Sequence, residues 1–97
     1  MKKRITEKQA EQVRAIIIKK FGNIATEPPK VIMDWDYGPA IVWEEGPYDW
    51  SSMFVEMAAG YKVRDTEFGF TRTPVKIPAG IFIEPATSYA ISMYPEA

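Results

Sequence analysis

Apolar residues recur at three- and four-residue spacing through the first quarter of the chain. Val13, Ile16 and Ile17, flanked by Ala10 and Phe21, make one stripe, and the spacing predicts a helix from about Glu7 to Lys20. Thr6-Glu7-Lys8-Gln9 fits a capping box, in which the Thr6 hydroxyl and the Gln9 side chain each satisfy an end amide. Glu7 and Glu11 sit early, Lys19 and Lys20 late, as the helix dipole favours, and Gly22 follows as the stop. Ile18 falls off the stripe and is expected at the surface.

The pattern then changes period. The connector 23–29 ends in Pro28-Pro29, which blocks further helix. From Lys30 to Asp36 apolar and polar positions alternate, with Val31, Met33 and Trp35 on one face and Ile32, Asp34 and Asp36 on the other. Tyr37-Gly38-Pro39 reads as a turn, and Ala40 to Glu45 as the returning strand. Pairing Asp36 with Ala40 sets Asp34 opposite Val42, Ile32 opposite Glu44, Trp35 opposite Ile41 and Met33 opposite Trp43. Trp35 and Trp43 then share the core face, and Asp34, Asp36 and Glu44 share the other. A one-residue slip would mix the two sets.

Gly46-Pro47 closes the strand, and proline suits a first helical turn. Trp50, Met53, Phe54, Met57 and Ala58 predict a second helix over about Pro47 to Ala59, stopped by Gly60. Tyr61 to Val63 begins a strand. Residues 65–78 are interrupted by Gly69, Pro74 and Pro78, and read as irregular extended chain with an edge strand at 67–72. Ile81 to Glu84 and Ser88 to Tyr94 form a second hairpin around Pro85-Ala86-Thr87, with Tyr89, Ile91 and Met93 on one face. The order α-β-β-α-(β)-β-β predicts one α+β domain over 1–97, an antiparallel sheet with two helices on one face.

Ninety-seven residues can bury about two-thirds of their unfolded surface without a staple. The chain has no cysteine and no histidine. That removes disulfides, thiolate zinc sites, iron–sulfur clusters, cysteine nucleophiles, Ser-His triads and histidine-bearing zinc sites from its own repertoire. No apolar run approaches the roughly 20 residues of a membrane span. The basic Met1-Lys2-Lys3-Arg4 is followed by polar Thr6 to Glu11 where a signal peptide needs an apolar stretch, so a cytoplasmic location is expected.

Charge is segregated. Residues 1–30 carry eight Lys/Arg against three Asp/Glu, residues 31–60 none against six, and residues 61–97 four of each. Opposed electrostatic faces bear on partner choice and association rate. Asp34 and Asp36 with Glu44 on the neighbouring strand, and Glu45 or Asp49 nearby, offer hard oxygen ligands for Mg²⁺ or Ca²⁺. Against a metal-dependent enzyme stand the missing phosphate loop and a spacing that fits no calcium loop. A solvated face that discourages edge-to-edge pairing is favoured, and no cofactor is expected. A glycosidase carboxylate pair needs a cleft that so small a domain hardly offers. Ser51 and Ser52 lack a base and a nucleophile elbow and read as helix solvation. The basic residues of the first helix are interleaved with Glu7 and Glu11, away from the aromatics, which disfavours nucleic acid.

Three Trp, five Tyr and five Phe exceed what a core this small encloses. Some of Trp43, Tyr37, Tyr48, Phe68, Phe70, Tyr89 and Tyr94 are expected at the surface, where Trp and Tyr anchor interfaces. The run Ala40-Ile41-Val42-Trp43-Glu44-Glu45-Gly46-Pro47-Tyr48-Asp49-Trp50 and the tail Ala79-Gly80-Ile81-Phe82-Ile83-Glu84-Pro85 resemble small uncharacterised proteins of actinobacterial phages. The likeness covers about a third of the chain. It implies a phage accessory or host-directed role and transfers no functional residue.

These readings converge on a non-enzymatic protein-interaction module. Its expected recognition surface is Asp34, Asp36, Tyr37, Glu44, Glu45, Tyr48 and Asp49. The alternatives are a divalent-metal-dependent enzyme built on Asp34, Asp36 and Glu44, and a homo-oligomeric structural subunit. A protein partner or self-association is expected, and no membrane.

Overall fold

A computed structural model describes residues 4–22, 27–36 and 38–96. The predicted class holds: an antiparallel four-stranded sheet, a separate two-stranded sheet, and two helices packed on the larger one. Helix α1 (Glu7–Phe21) opens with both halves of the capping box, and Gly22 ends it at φ 71°. Ala10, Val13, Ile17 and Phe21 are its buried stripe, while Ile16 and Ile18 are half-buried. Burying a side chain such as Ile17 contributes about 1.5–3 kcal/mol.

Strands β1 (Lys30–Trp35) and β2 (Gly38–Val42) form the first hairpin, but in another register. Lys30 pairs with Val42, Val31 with Ile41 and Ile32 with Ala40, and after a bulge Trp35 pairs with Gly38. Gly38 and Pro39 are therefore strand, not turn. Pro39 precedes the pairing of β2 with its other neighbour, which starts at Ala40, so its missing N–H costs no ladder bond there. The bulge also turns Trp35 over. It shares a face with Gly38 and Ala40 and is half-buried, outside the core it was expected to join. Tyr37 and the connector residues 23–26 lie outside the described residues.

Helix α2 (Trp50–Ala58) begins three residues later than expected, leaving Pro47 in the preceding turn. Its N-cap Asp49 is left-handed at φ 52° and makes no side-chain cap bond. The strand expected to begin at Tyr61 to Val63 is β3 (Val63–Asp65), and the edge strand expected at 67–72 is β4 (Phe70–Arg72); the two pair with each other in the small sheet. Strands β5 (Ile81–Thr87) and β6 (Ala90–Pro95) form the second hairpin with a tighter turn, at Ser88-Tyr89. Pro85 is inside β5, opposite Ile91, and the fold tolerates it because β5 is an edge strand. Ile91 and Met93 share the buried face as expected, but Tyr89 sits in the turn and is exposed.

The sheet order is β1-β2-β6-β5. Alternation in the observed register sends Ile41, Ile91, Met93, Ile81 and Ile83 toward the helices, where they meet Val13, Ile17, Phe21, Trp50 and Phe54 in one core. The opposite face carries Ile32, Trp35, Ala40, Val42, Ala90, Ser92, Tyr94, Phe82 and Glu84. Among the described residues neither helix packs across that second face. No described helix is long and apolar enough to cross a membrane.

Candidate functional site

A concavity lies where the first hairpin ends, and tryptophan packing builds it. Trp43 leaves β2 and turns its indole into the core, 3% exposed. There it meets Phe21 edge-on at 5.9 Å and Trp50 at 5.5 Å. Each indole N–H finds a carbonyl. Trp43 Nε1 donates to Glu27 O at 2.8 Å, and Trp50 Nε1 donates to Trp43 O at 3.1 Å. The Trp43 amide donates to Tyr89 O at 2.8 Å, and the Gly46 amide closes the turn on Trp43 O at 3.1 Å. A Cβ on Gly46 would stand 2.6 Å from Trp43 Cδ2, so only glycine lets the turn fold back over the indole.

The consequence is positional. Glu44 and Glu45 sit on a turn fixed at both ends and stay exposed, and the Trp43–Glu27 bond draws a third carboxylate to the same place. Arg14 Nε reinforces this by donating to Pro29 O at 2.6 Å, which ties the connector to α1. The resulting pocket holds about 250 Å³. Its walls are Glu27, Glu44, Glu45 and Lys30, and its apolar floor is Ile32, Val42 and Trp43. Among the described residues Lys30 is the one cation of the lining, and its ion pair there is with Glu27, at 3.8 Å with both side chains mostly in water. Small-molecule sites run from about 300 to 1,000 Å³. This pocket is smaller, the size for a single long side chain.

The structure divides the expected surface into three. Glu44 and Glu45 line the pocket. Asp34 and Asp36 are exposed at the other end of the hairpin, about 20 Å away at the strand rise, because the register is displaced and β2 stops at Val42. Glu44 therefore never pairs with Ile32, and the three carboxylates do not converge. No group of three potential ligands able to hold a metal ion occurs among the described residues. Tyr48 is 75% exposed, its amide donating to Glu67 Oε2 at 2.9 Å, and Asp49 is half-buried at the start of α2. Tyr37 lies outside the described residues.

Sequence reasoning missed Glu27 and Lys30, which no strand pattern links to Glu44. Only the Pro28-Pro29 stiffening beside them was visible. Ser51 was read as helix solvation, yet it is fully buried and its hydroxyl donates to Thr87 O at 2.6 Å, pinning α2 to the second hairpin. Ser52 is exposed, as expected. Of the aromatics from which some were expected outside, Tyr48, Phe68, Phe70 and Tyr89 are exposed and Tyr94 is half-buried; Trp43 is core, on the side where the strand alternation placed it.

Comparison with protein-family models, with curated proteins and with solved structures returned no match.

Proposed function

We propose that the chain is a non-enzymatic interaction module that receives a Lys or Arg side chain of a partner protein in the pocket beside Trp43. One observation carries this reading: three carboxylates, Glu27, Glu44 and Glu45, surround an apolar floor in a space sized for one side chain. A long cationic side chain is itself two-part, an apolar stem and a charged head. Its stem would lie on Ile32 and Val42 while its head meets the carboxylates. Arginine suits this better than lysine, because its planar fork pairs with carboxylates two bonds at a time. The resemblance to phage proteins adds a partner class, a basic host protein whose nucleic-acid-binding surface the acidic pocket would occupy.

The test is titration with a short unstructured peptide, Gly-Arg-Arg-Gly, from low to high salt. The expected result is weak, salt-sensitive binding that Glu44→Lys/Glu45→Lys abolishes. Binding unchanged by salt or by the double reversal would refute the reading.

A further inference from the structure

The second face of the four-stranded sheet is more apolar than solvent exposure alone would favour. Three rows cross it. Lys30, Val42, Ala90 and Thr87 lie nearest the pocket, and Ile32, Ala40, Ser92 and Glu84 come next. Trp35, Gly38, Tyr94 and Phe82 end it, with the Phe82 and Tyr94 rings 6.3 Å apart. Phe82 is 51% exposed, while Trp35, Tyr94, Ile32 and Val42 are half-buried. Ile32 and Val42 belong to both the face and the pocket floor, so the two surfaces are continuous.

We infer that this face is the apolar half of the same interface, and that its occupant is an amphipathic, basic-ended helix of the partner, laid along the strands. The inference rests on the pocket reading above. Size favours a helix. The six residues of β1 span about 17 Å, and three strand spacings span about 14 Å. A helix about 10 Å across and roughly 11 residues long fills that area. The opposite face is already covered by helices.

Charge favours a basic end. Among the described residues the pocket end presents Glu27, Glu44 and Glu45 against Lys30, so the cationic residue belongs there and apolar residues belong over the aromatic row. A second copy of this chain fits worse. Face-to-face packing about a two-fold axis along the strands lays the two acidic ends on each other. An axis across the strands lays Glu84 on Glu84. A footprint of about 17 by 14 Å on each partner falls below the range of stable specific interfaces, so weak, transient binding is expected.

The experiment uses the whole chain and three kinds of labelled peptide, two of twelve residues and one of four. One carries leucine at i, i+3, i+4 and i+7 with an Arg pair at either end; a control of equal composition scatters the leucines; the third is Gly-Arg-Arg-Gly. The expected result is that the better amphipathic peptide binds at least tenfold tighter than both others. Phe82→Ser should cut its affinity at least fivefold and leave Gly-Arg-Arg-Gly unchanged. Phe82→Glu is the second variant, and thermal melts by circular dichroism confirm that both fold. Equal affinity for the amphipathic and scattered peptides, or indifference to both Phe82 variants, overturns this inference and leaves the pocket reading standing. Failure of Gly-Arg-Arg-Gly to bind, with the amphipathic peptide indifferent to Glu44→Lys/Glu45→Lys, overturns the pocket reading and the basic end together. Self-association abolished by Phe82→Ser would assign the face to a second copy instead. Tighter binding of a single-stranded oligothymidine than of any peptide would assign it to nucleic acid.

Discussion

The Arg72 guanidinium lies 2.8 Å from the Asp65 carboxylate with both side chains almost wholly enclosed, and the pair clamps the small sheet to α1. Arg72 is stacked between two rings, 4.4 Å from the centroid of Phe21 and 4.6 Å from that of Phe70. Its Nη1 also donates to Lys20 O at 3.2 Å, at the carbonyl end of α1. Asp65 Oδ1 accepts from the amides of Glu67 and Phe68, so the carboxylate organises its own turn as well. Removing one partner of such a pair leaves the other charge buried alone. Arg72→Met should cost about 3–5 kcal/mol in urea unfolding. The combined Asp65→Asn/Arg72→Met change should cost less than the two single losses added together.

The same pair sets an acid limit. Burial by itself would raise the Asp65 carboxyl, but the Phe68 amide, Arg72 and the Glu67 amide outweigh it and hold the group below its ordinary value. A lowered folded-state pKa means stability fully present above the unfolded carboxylate range and lost as pH falls through the folded value. Wild type should therefore lose stability below about pH 4. Asp65→Asn should start less stable and show a shallower loss over that range, read from unfolding midpoints. Parallel curves for the two proteins would contradict this.

Gly46→Ala tests the turn that presents Glu44 and Glu45. The new methyl meets an indole held edge-on by Phe21 and Trp50, so neither side has room to move. Overpacking of this kind costs about 1–3 kcal/mol. The variant should melt earlier, shift the tryptophan emission and bind Gly-Arg-Arg-Gly more weakly, all from one methyl outside the pocket lining.

Ser51 and Ser52 are adjacent and should behave differently. Ser51→Ala removes the bond to Thr87 O and leaves a carbonyl short of a partner in a part-buried place, worth about 1–3 kcal/mol. Ser52→Ala should change the melting midpoint little, since the side chain is exposed.

What could be read from the sequence depended on whether the determining contacts were local. The first helix is set by Thr6, Gln9 and a stripe within one segment, and its start and buried face followed directly. The first hairpin did not, because Gly38-Pro39 carries turn chemistry and yet begins a strand beside a bulge. The alternation that placed Trp35 in the core counts residues evenly, and a bulge breaks the count. Asp65 and Arg72 meet through a hairpin that Gly69 and the short strands disguise as irregular chain. For the site, Glu44 and Glu45 were legible as acidic and aromatic-flanked. Glu27 was not, because a bond from the Trp43 indole to its backbone brings it there.

The central claim is that recognition resides at the pocket and not along the whole acidic hairpin. Two charge reversals at opposite ends of that hairpin separate the readings: Glu44→Lys/Glu45→Lys beside Trp43, and Asp34→Lys/Asp36→Lys at the tip. Both change net charge equally, so any uniform electrostatic effect cancels in the comparison. Measured by titration of Gly-Arg-Arg-Gly at fixed low salt, the first should abolish binding and the second should weaken it less than twofold. Equal losses from both reversals would contradict the account.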